Sequence, residues 1–539
     1  VRVAEGTVDL PYYLGMPSGS VGTPLVSQPW QADDALASAL NQAFAPLGLS
    51  IPHANPATTT AVNYVFPFPK KVADVKAPML VIYPANAELN NGNIPVVIFQ
   101  HGITTDRSAA LTFGTALAKA ANVAVVAIDQ PLHGVGAFTA EKQRELATSL
   151  LQAGGQEVTD EKVNAIIAGQ FSVGALLQID AACPTIEITN PGDAAQIAAA
   201  KGTVLGGGCG PTAAATLGGA LVLEGTVANA GSIIPGLAPT DHERHFNFTA
   251  NAASQPVPMD FAQGFGSSGS LFINLGNFLK SRDNVRQGSV DLMNLRHSVA
   301  SIDLDGNGTP DLSGSNVFFV GHSLGTITGS PFVAVVNQTE TAADNIRAAN
   351  FITPGSGIVR LLENSPSFAP RILGGLQASA NLVQGDANLE SFFNVLQATL
   401  DAGDPINFAD NLVAGNTPTL FSIVLGDAVI PNSAYPNPNF GNASATPLAG
   451  SEPMATLTKA TNVVGDTVLG FGVTRYTAGS HGTPVLPKEA TDEATNLAKA
   501  VFGEMVGEVA AMVGLTLATG TPATTIATPG GQLVVKKDY

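Results

Sequence analysis

The chain has 539 residues, of which 45% are hydrophobic and only 12% charged, with 57 glycines and 36 prolines; so apolar a chain folds around a large core and is not disordered. Its formal net charge is −18, and its 24 Lys and Arg form no cluster, which excludes nucleic acid or anionic headgroups as partners held by bulk electrostatics. The length could fill several domains; the expectation here is one large core carrying inserted lobes.

In chain order, the first 77 residues, beginning "VRVAEGTVDLPYYLGMPS", are read as a region packed on that core. "PMLVIY" (78–83) and "IPVVIFQ" (94–100) are short apolar runs bounded by Pro, Asn and Gly, as buried strands should be. A loop and helix follow, then another buried strand in "VAVVAIDQPLHG". Strand, helix, strand at this spacing implies a parallel sheet. The pattern breaks over 135–269, rich in Ala, Gly, Pro and Thr with local helical stretches such as 140–155, and this segment is read as an inserted cap lobe. Core elements return over 270–357, a helical lid segment is expected over 358–414, and 415–514 completes the core with the strands "TLFSIVLGD" and "FGVTRYTAG" and a long amphipathic helix. Residues 515–539 are read as a tail.

No uninterrupted apolar run approaches the roughly 18 residues of a membrane span, so no transmembrane segment is expected. The chain opens at Val1 without a basic and apolar leader, and the expectation is a processed protein. Cys183 and Cys209 lie in one Gly-rich segment. In an oxidising compartment they would form a disulfide, in the cytosol two buried thiols; the disulfide is the expectation.

The chemistry centres on "VFFVGHSLGTITG" (317–329). A bare Gly-x-Ser-x-Gly occurs by chance roughly 0.3 times in a chain of this composition, so the motif alone is weak. Its context is not weak: an apolar strand runs into the motif and a helix follows, which makes Ser323 the nucleophile of a strand–turn–helix elbow. A serine hydroxyl needs a base, and the base a carboxylate to orient it. In chain order after the serine, Asp427 follows "TLFSIVLG" and His481 follows "FGVTRYTAG", each at a strand end. Asp401, Asp404 and Asp410 precede their strand and Asp466 lies between strands. His322 should leave the turn away from the serine, while His101, His133 and His297 are read as structural or supporting. The oxyanion of a tetrahedral intermediate needs two backbone donors: Leu324 for one, and from "HGI" Ile103 for the other, with Gly102 as second choice.

Together, "HGI", "DQPLHG", "GHSLG", "GDAVIP" and "GSHG" resemble the α/β-hydrolase superfamily, which implies a mostly parallel sheet flanked by helices, with the inserts as lid and cap lobes. More narrowly, "GTVDLPYYLGMPS", the large insert before "RDNVRQ" and "DLDGNGTPDL" resemble bacterial extracellular lipases and phospholipases with a virulence-factor lipase N-terminal region. That resemblance implies a serine ester hydrolase, secreted or on a bacterial cell surface, its signal sequence outside this chain, acting on a lipid or other ester and needing no organic cofactor. Phospholipase or polyester-active esterase is the alternative, with a peptidase or amidase, or a non-catalytic surface protein, further behind.

Two further signals stand apart. "DLDGNGTPDL" sets Asp303, Asp305, Asn307, Thr309 and Asp311 like the first half of a calcium loop, but Gly314 occupies the place of the closing Glu. A structural calcium site and a plain Asp/Asn/Gly turn are both open, with the turn favoured. "HERH" puts His242 and His245 three apart, without the spacing or third ligand of a metal site, and is read as two polar lobe residues.

Overall fold

The computed structural model describes every residue except 51–59, 65, 138–143, 145–147, 149–156, 168–170, 181, 191–192, 231–238, 262–264, 340, 342–343, 434–447, 465–466, 521–523, 526–532 and 534–539. Most of the expected helix over 140–155, Asp466 and nearly all of the tail from 521 onward lie outside the described residues.

The chain divides into two compact units, one of residues 1–135, 240–258 and 268–539, the other of 136–239 and 259–267. In the larger, nine strands form one sheet: β1 (Arg2–Tyr12), β2 (Ala73–Tyr83), β3 (Ile94–Gln100), β4 (Ala124–Ile128), β5 (Leu312–His322), β6 (Ala349–Ile352), β7 (Thr419–Val424), β8 (Thr461–Asn462) and β9 (Phe471–Tyr476). Their order across the sheet is β1-β2-β4-β3-β5-β6-β7-β9-β8. From β4 to β8 all pairs are parallel; β1 and β2 pair antiparallel, as do β2 and β4. The two-residue period of a strand divides the apolar side chains into two cores. Val96, Ile98, Val317 and Phe319 pack with Leu292 and Leu295 of α2 (Phe278–Ser298) and Phe332 and Val333 of α3 (Leu324–Val336). Val97, Phe99, Phe318 and Val320 pack with Phe113 and Leu117 of α1 (Ala110–Ala121) and Val501, Met505 and Val509 of a long helix at Asp492–Thr519. Covered on both faces, these strands read as continuous apolar runs. This is the α/β-hydrolase fold.

Three boundaries differ from the sequence reading. The N-terminal region supplies β1, paired along its whole length with β2, which begins at Ala73. Residues 240–258 belong to the core unit and not to the lobe. The reason is a set of buried ion pairs: Glu243 and Asp129 share Arg107, and Arg244 meets Asp291. The reading of "HERH" as lobe polarity is thereby corrected: His245 is also buried, its Nε2 3.0 Å from the Val135 carbonyl, while His242 is exposed. The last long helix runs through Thr519 and has the length and composition of a membrane span. Its charged residues are spread among the apolar ones, so a search for an unbroken apolar run passes over it.

The smaller unit is helical, with helices at Asp160–Ile167, Phe171–Asp180, Ala194–Leu205 and Pro211–Ala230. Cys183 and Cys209 form the expected disulfide, beside Leu176, Ile197 and Val204. Closing a loop of that length stabilises by roughly 3 kcal/mol.

Candidate active site

Strand β5 ends at His322 and α3 begins at Leu324, leaving Ser323 alone at the turn with φ 54° and ψ −119°. That is a strained conformation for a residue with a side chain. The flanking glycines make it feasible: a Cβ on Gly321 would lie 2.7 Å from the Gly325 carbonyl oxygen, and one on Gly325 would lie 2.1 Å from that of Gln100. The turn is therefore pressed against both its own helix and the end of β3.

The loop after β3 passes directly beside the serine, since a Cβ on Gly102 would sit 3.1 Å from Ser323 Cβ and 3.5 Å from its Oγ. Its geometry is fixed by His101. The ring accepts the Gln130 amide at Nε2, 3.0 Å, so Nδ1 carries the proton and donates to the Gly102 carbonyl at 2.8 Å. Burial holds this imidazole neutral, its pKa pulled down to about 3. Thr105 Oγ1 donates to the same carbonyl at 2.8 Å. With the carbonyl pinned, the Ile103 amide on the same trans peptide points the opposite way. Leu324, first residue of α3, has an amide with no acceptor inside its helix.

Asp427 follows β7 and is buried. Its Oδ1 accepts the amides of Val429 at 2.7 Å and Ile430 at 3.0 Å, while Oδ2 meets His481 Nδ1 at 2.7 Å. The two carboxylate oxygens thus have separate tasks. His481 sits in a turn after β9, closed by the Thr483 amide on the Ser480 carbonyl, with Ser480 N–H donating to Thr483 Oγ1. His322 reaches across from the elbow: its Nε2 is 2.8 Å from the His481 carbonyl oxygen, and the two rings lie 5.1 Å apart. This link escaped the sequence reading, which sent the His322 side chain away from the site. Nothing in the sequence beyond its adjacency to Ser323 points to it.

Asp404 lies elsewhere, capping the helix α4 (Ile358–Asn364). It accepts the amides of Gly357 and Ile358, the Ile406 amide, and Gln397 Nε2. Asp-Pro at 404–405 signals the cap of the short turn Pro405–Phe408 that Asp404 opens, while its contact with α4 leaves no local signal.

An apolar cavity with about 690 Å³ of empty space, part of it open to solvent, adjoins Ser323. Ile103 and Leu324 border it together with Phe272, Val285 and Ile327. Much of its wall comes from the expected lid segment: Ile358, Leu361 and Leu362 of α4, Phe368, and Leu396 and Leu400 of α6 (Ala387–Leu400), α5 (Ala369–Ala380) lying between; Ile273, Leu275, Val429 and Ile430 complete it from outside that segment. The Ser281 hydroxyl in the lining is already taken up by the Asn274 backbone.

The Asp303–Asp311 loop lies before β5 and away from this cluster in sequence and lining. One carboxylate oxygen each of Asp303, Asp305 and Asp311 lies within 4.8 Å of the others. Asp303 accepts the amides of Asp305, Gly306, Asn307 and Gly308, and Asn307 Oδ1 that of Thr309. Asp311 accepts the amides of Asn90 and Leu304.

No family description and no curated protein sequence matches this chain. Among solved structures, an esterase of Pyrobaculum calidifontis is 11% identical over 82% of each chain with a TM-score of 0.33. Acetyl xylan esterase 1 of Thermoanaerobacterium sp. is 13% identical over 81% of each chain, TM-score 0.32. A putative aryl esterase of Burkholderia cenocepacia is 11% identical, covering 82% of this chain and 96% of that one, TM-score 0.29. Likeness at that level carries no weight here, and the fold rests on the sheet and its elbow.

Proposed function

We propose that the protein is a serine hydrolase of carboxylic esters, of lipase or carboxylesterase type. Ser323 attacks the ester carbonyl, His481 takes its proton and returns it to the leaving alcohol, and Asp427 holds the imidazole with Nδ1 protonated. The amides of Leu324 and Ile103 receive the oxyanion, and water then releases the acid. The observation that carries this reading is the His481 Nδ1 to Asp427 Oδ2 pair, 2.7 Å, tied to the strained serine turn. The resemblance to extracellular bacterial lipases, the disulfide and the apolar cavity support a secreted or cell-surface enzyme whose substrate is lipid-like.

Ser323→Ala is expected to abolish ester hydrolysis with the melting temperature retained, and a fluorophosphonate to label Ser323 alone. Normal turnover in the folded variant would end the reading. With the cavity as acyl site, each added methylene contributes about 0.8 kcal/mol, roughly fourfold in kcat/KM, until the space is filled. Rates on p-nitrophenyl esters should rise from acetate toward medium or long chains. Leu361→Asp should remove that rise and spare acetate, because a charge in this wall must be desolvated. A flat profile that Leu361→Asp leaves unchanged would mean that the cavity does not hold the acyl chain, leaving a carboxylesterase whose lid segment serves another purpose.

A further inference from the structure

The serine and the histidine come from distant parts of the chain, so something must fix their spacing. Asp427 holds the His481 ring by Nδ1, which sets its rotation, but not the approach of its loop to the elbow. Among the described residues, the hydrogen bond that joins the two segments is His322 Nε2 to the His481 carbonyl, 159 residues away at 2.8 Å. A carbonyl oxygen only accepts, so Nε2 must carry the proton and Nδ1 must be bare. Nδ1 is buried and has no partner, facing instead the glycine of the oxyanion loop, where a Cβ on Gly102 would come within 3.3 Å of it.

From this geometry we infer that His322 is a positioning residue: by donating Nε2–H to the main chain of His481 it sets the reach between the Ser323 hydroxyl and the His481 ring. The inference rests on the hydrolase reading above. His322 takes no proton from substrate. Burial, and then the neighbouring His481, draw its pKa down to about 3, so it stays a neutral donor while His481 becomes charged in turnover.

The test compares His322→Phe, which keeps a ring and loses the donor, with His322→Gln, whose amide nitrogen reaches about as far as Nε2, and His322→Asn, whose amide falls short. A displacement of about 1 Å costs up to roughly 10²-fold. His322→Phe and His322→Asn should lose roughly 10- to 100-fold in kcat on p-nitrophenyl acetate with KM nearly unchanged, and His322→Gln should recover most of that loss. Full kcat in His322→Phe, or equal kcat in the Gln and Asn variants, overturns the inference; the second comparison decides alone if His322→Phe does not fold. Nitrogen spectra of histidine-labelled protein give a readout that needs no activity: His322 should hold its proton on Nε2 from pH 5 to 9, in wild type and in Ser323→Ala alike. A proton on Nδ1, or a titrating ring, overturns it too. Wild-type protein that hydrolyses no ester and takes no fluorophosphonate would instead bring down the hydrolase reading and the clamp's purpose with it, an outcome the spectra separate from a clamp that does not form.

Discussion

Two aspartates flank strand β7, Asp404 before it and Asp427 after it, and both are buried and both gather backbone amides. Asp404 spends both oxygens on four donors within its own neighbourhood. Asp427 spends one oxygen on the amides of Val429 and Ile430 and keeps the other for His481. Burial and residue type do not separate a cap from an orienting acid. What separates them is what each can reach: Asp427 directly follows β7 and meets His481, which follows β9, whereas Asp404 precedes the turn Pro405–Phe408 and the helix Ala409–Ala414 that lead into β7 and meets only the start of α4, Ile406 and Gln397.

The sharpest way to break this comparison is to neutralise each acid in turn. Asp427→Asn should lower kcat by up to about 10⁴, with KM and melting temperature little changed, since the imidazole loses its orienting acceptor and adopts the wrong tautomer. Asp404→Asn should do the reverse, leaving turnover of short esters within a few-fold. It should lower stability by roughly 1–3 kcal/mol for each buried amide left without an acceptor. Kinetics on p-nitrophenyl acetate beside thermal melts read both. If Asp404→Asn carried the kinetic loss instead, the assignment at the strand end would be wrong.

The same contrast shows what the sequence could convey. The placement of Ser323, Asp427 and His481 after strands was readable because those strands are buried and parallel, and such strands are continuous apolar runs. Strand β1 was not, for most of Arg2–Tyr12 is exposed or half-buried and carries charges, as suits the edge of a sheet. The lobe boundary was misplaced because residues 240–258 are tied to the core by Glu243 and Arg244, whose partners Arg107 and Asp291 lie 136 and 47 residues away. The His322 link depends on where two loops meet, which no local pattern encodes.

A third buried acid sharpens the comparison further, because it lacks what the first two have. Glu508, on the helix Asp492–Thr519 (α7), is fully buried near Tyr476, Thr474, Ser422 and Glu504, yet neither of its oxygens makes a hydrogen bond of good geometry among the described residues. Burial pushes its pKa up to about 8. Between the ordinary carboxylate range and that value the folded state holds a proton that the unfolded state has released. Stability therefore falls as pH rises from about 4.5 to about 8 and then levels. Glu508→Gln should remove that contribution, so the variant gains on wild type by up to a few kcal/mol near pH 8 and not at pH 4. Melting curves across that range check it; a gain independent of pH would mean that the acid is ionised in the fold.

The smallest effect is expected at Asp303, the half-buried counterpart of these acids. Its carboxylate is held in the charged form by the Gly308 amide above all, with those of Gly306 and Asn307, so that its pKa lies below the ordinary value. Four backbone donors, three on Oδ1 and that of Gly308 on Oδ2, are what an Asp/Asn/Gly turn supplies to its leading carboxylate. A calcium loop would need Asp305, Asn307, Thr309 and Asp311 to turn oxygens inward as well, but Asp311 already accepts the amides of Asn90 and Leu304, and Gly314 brings no carboxylate. The expected result is a melting temperature that about 10 mM calcium moves no more than the same concentration of magnesium does. A calcium site with Kd of about 10⁻⁴ to 10⁻³ M would be largely filled at that concentration and would raise the melting temperature by about a degree or more, an increase that Asp303→Asn would erase. Such a calcium-specific rise would make Asp303 a ligand, and the four amides would then be its supporting shell.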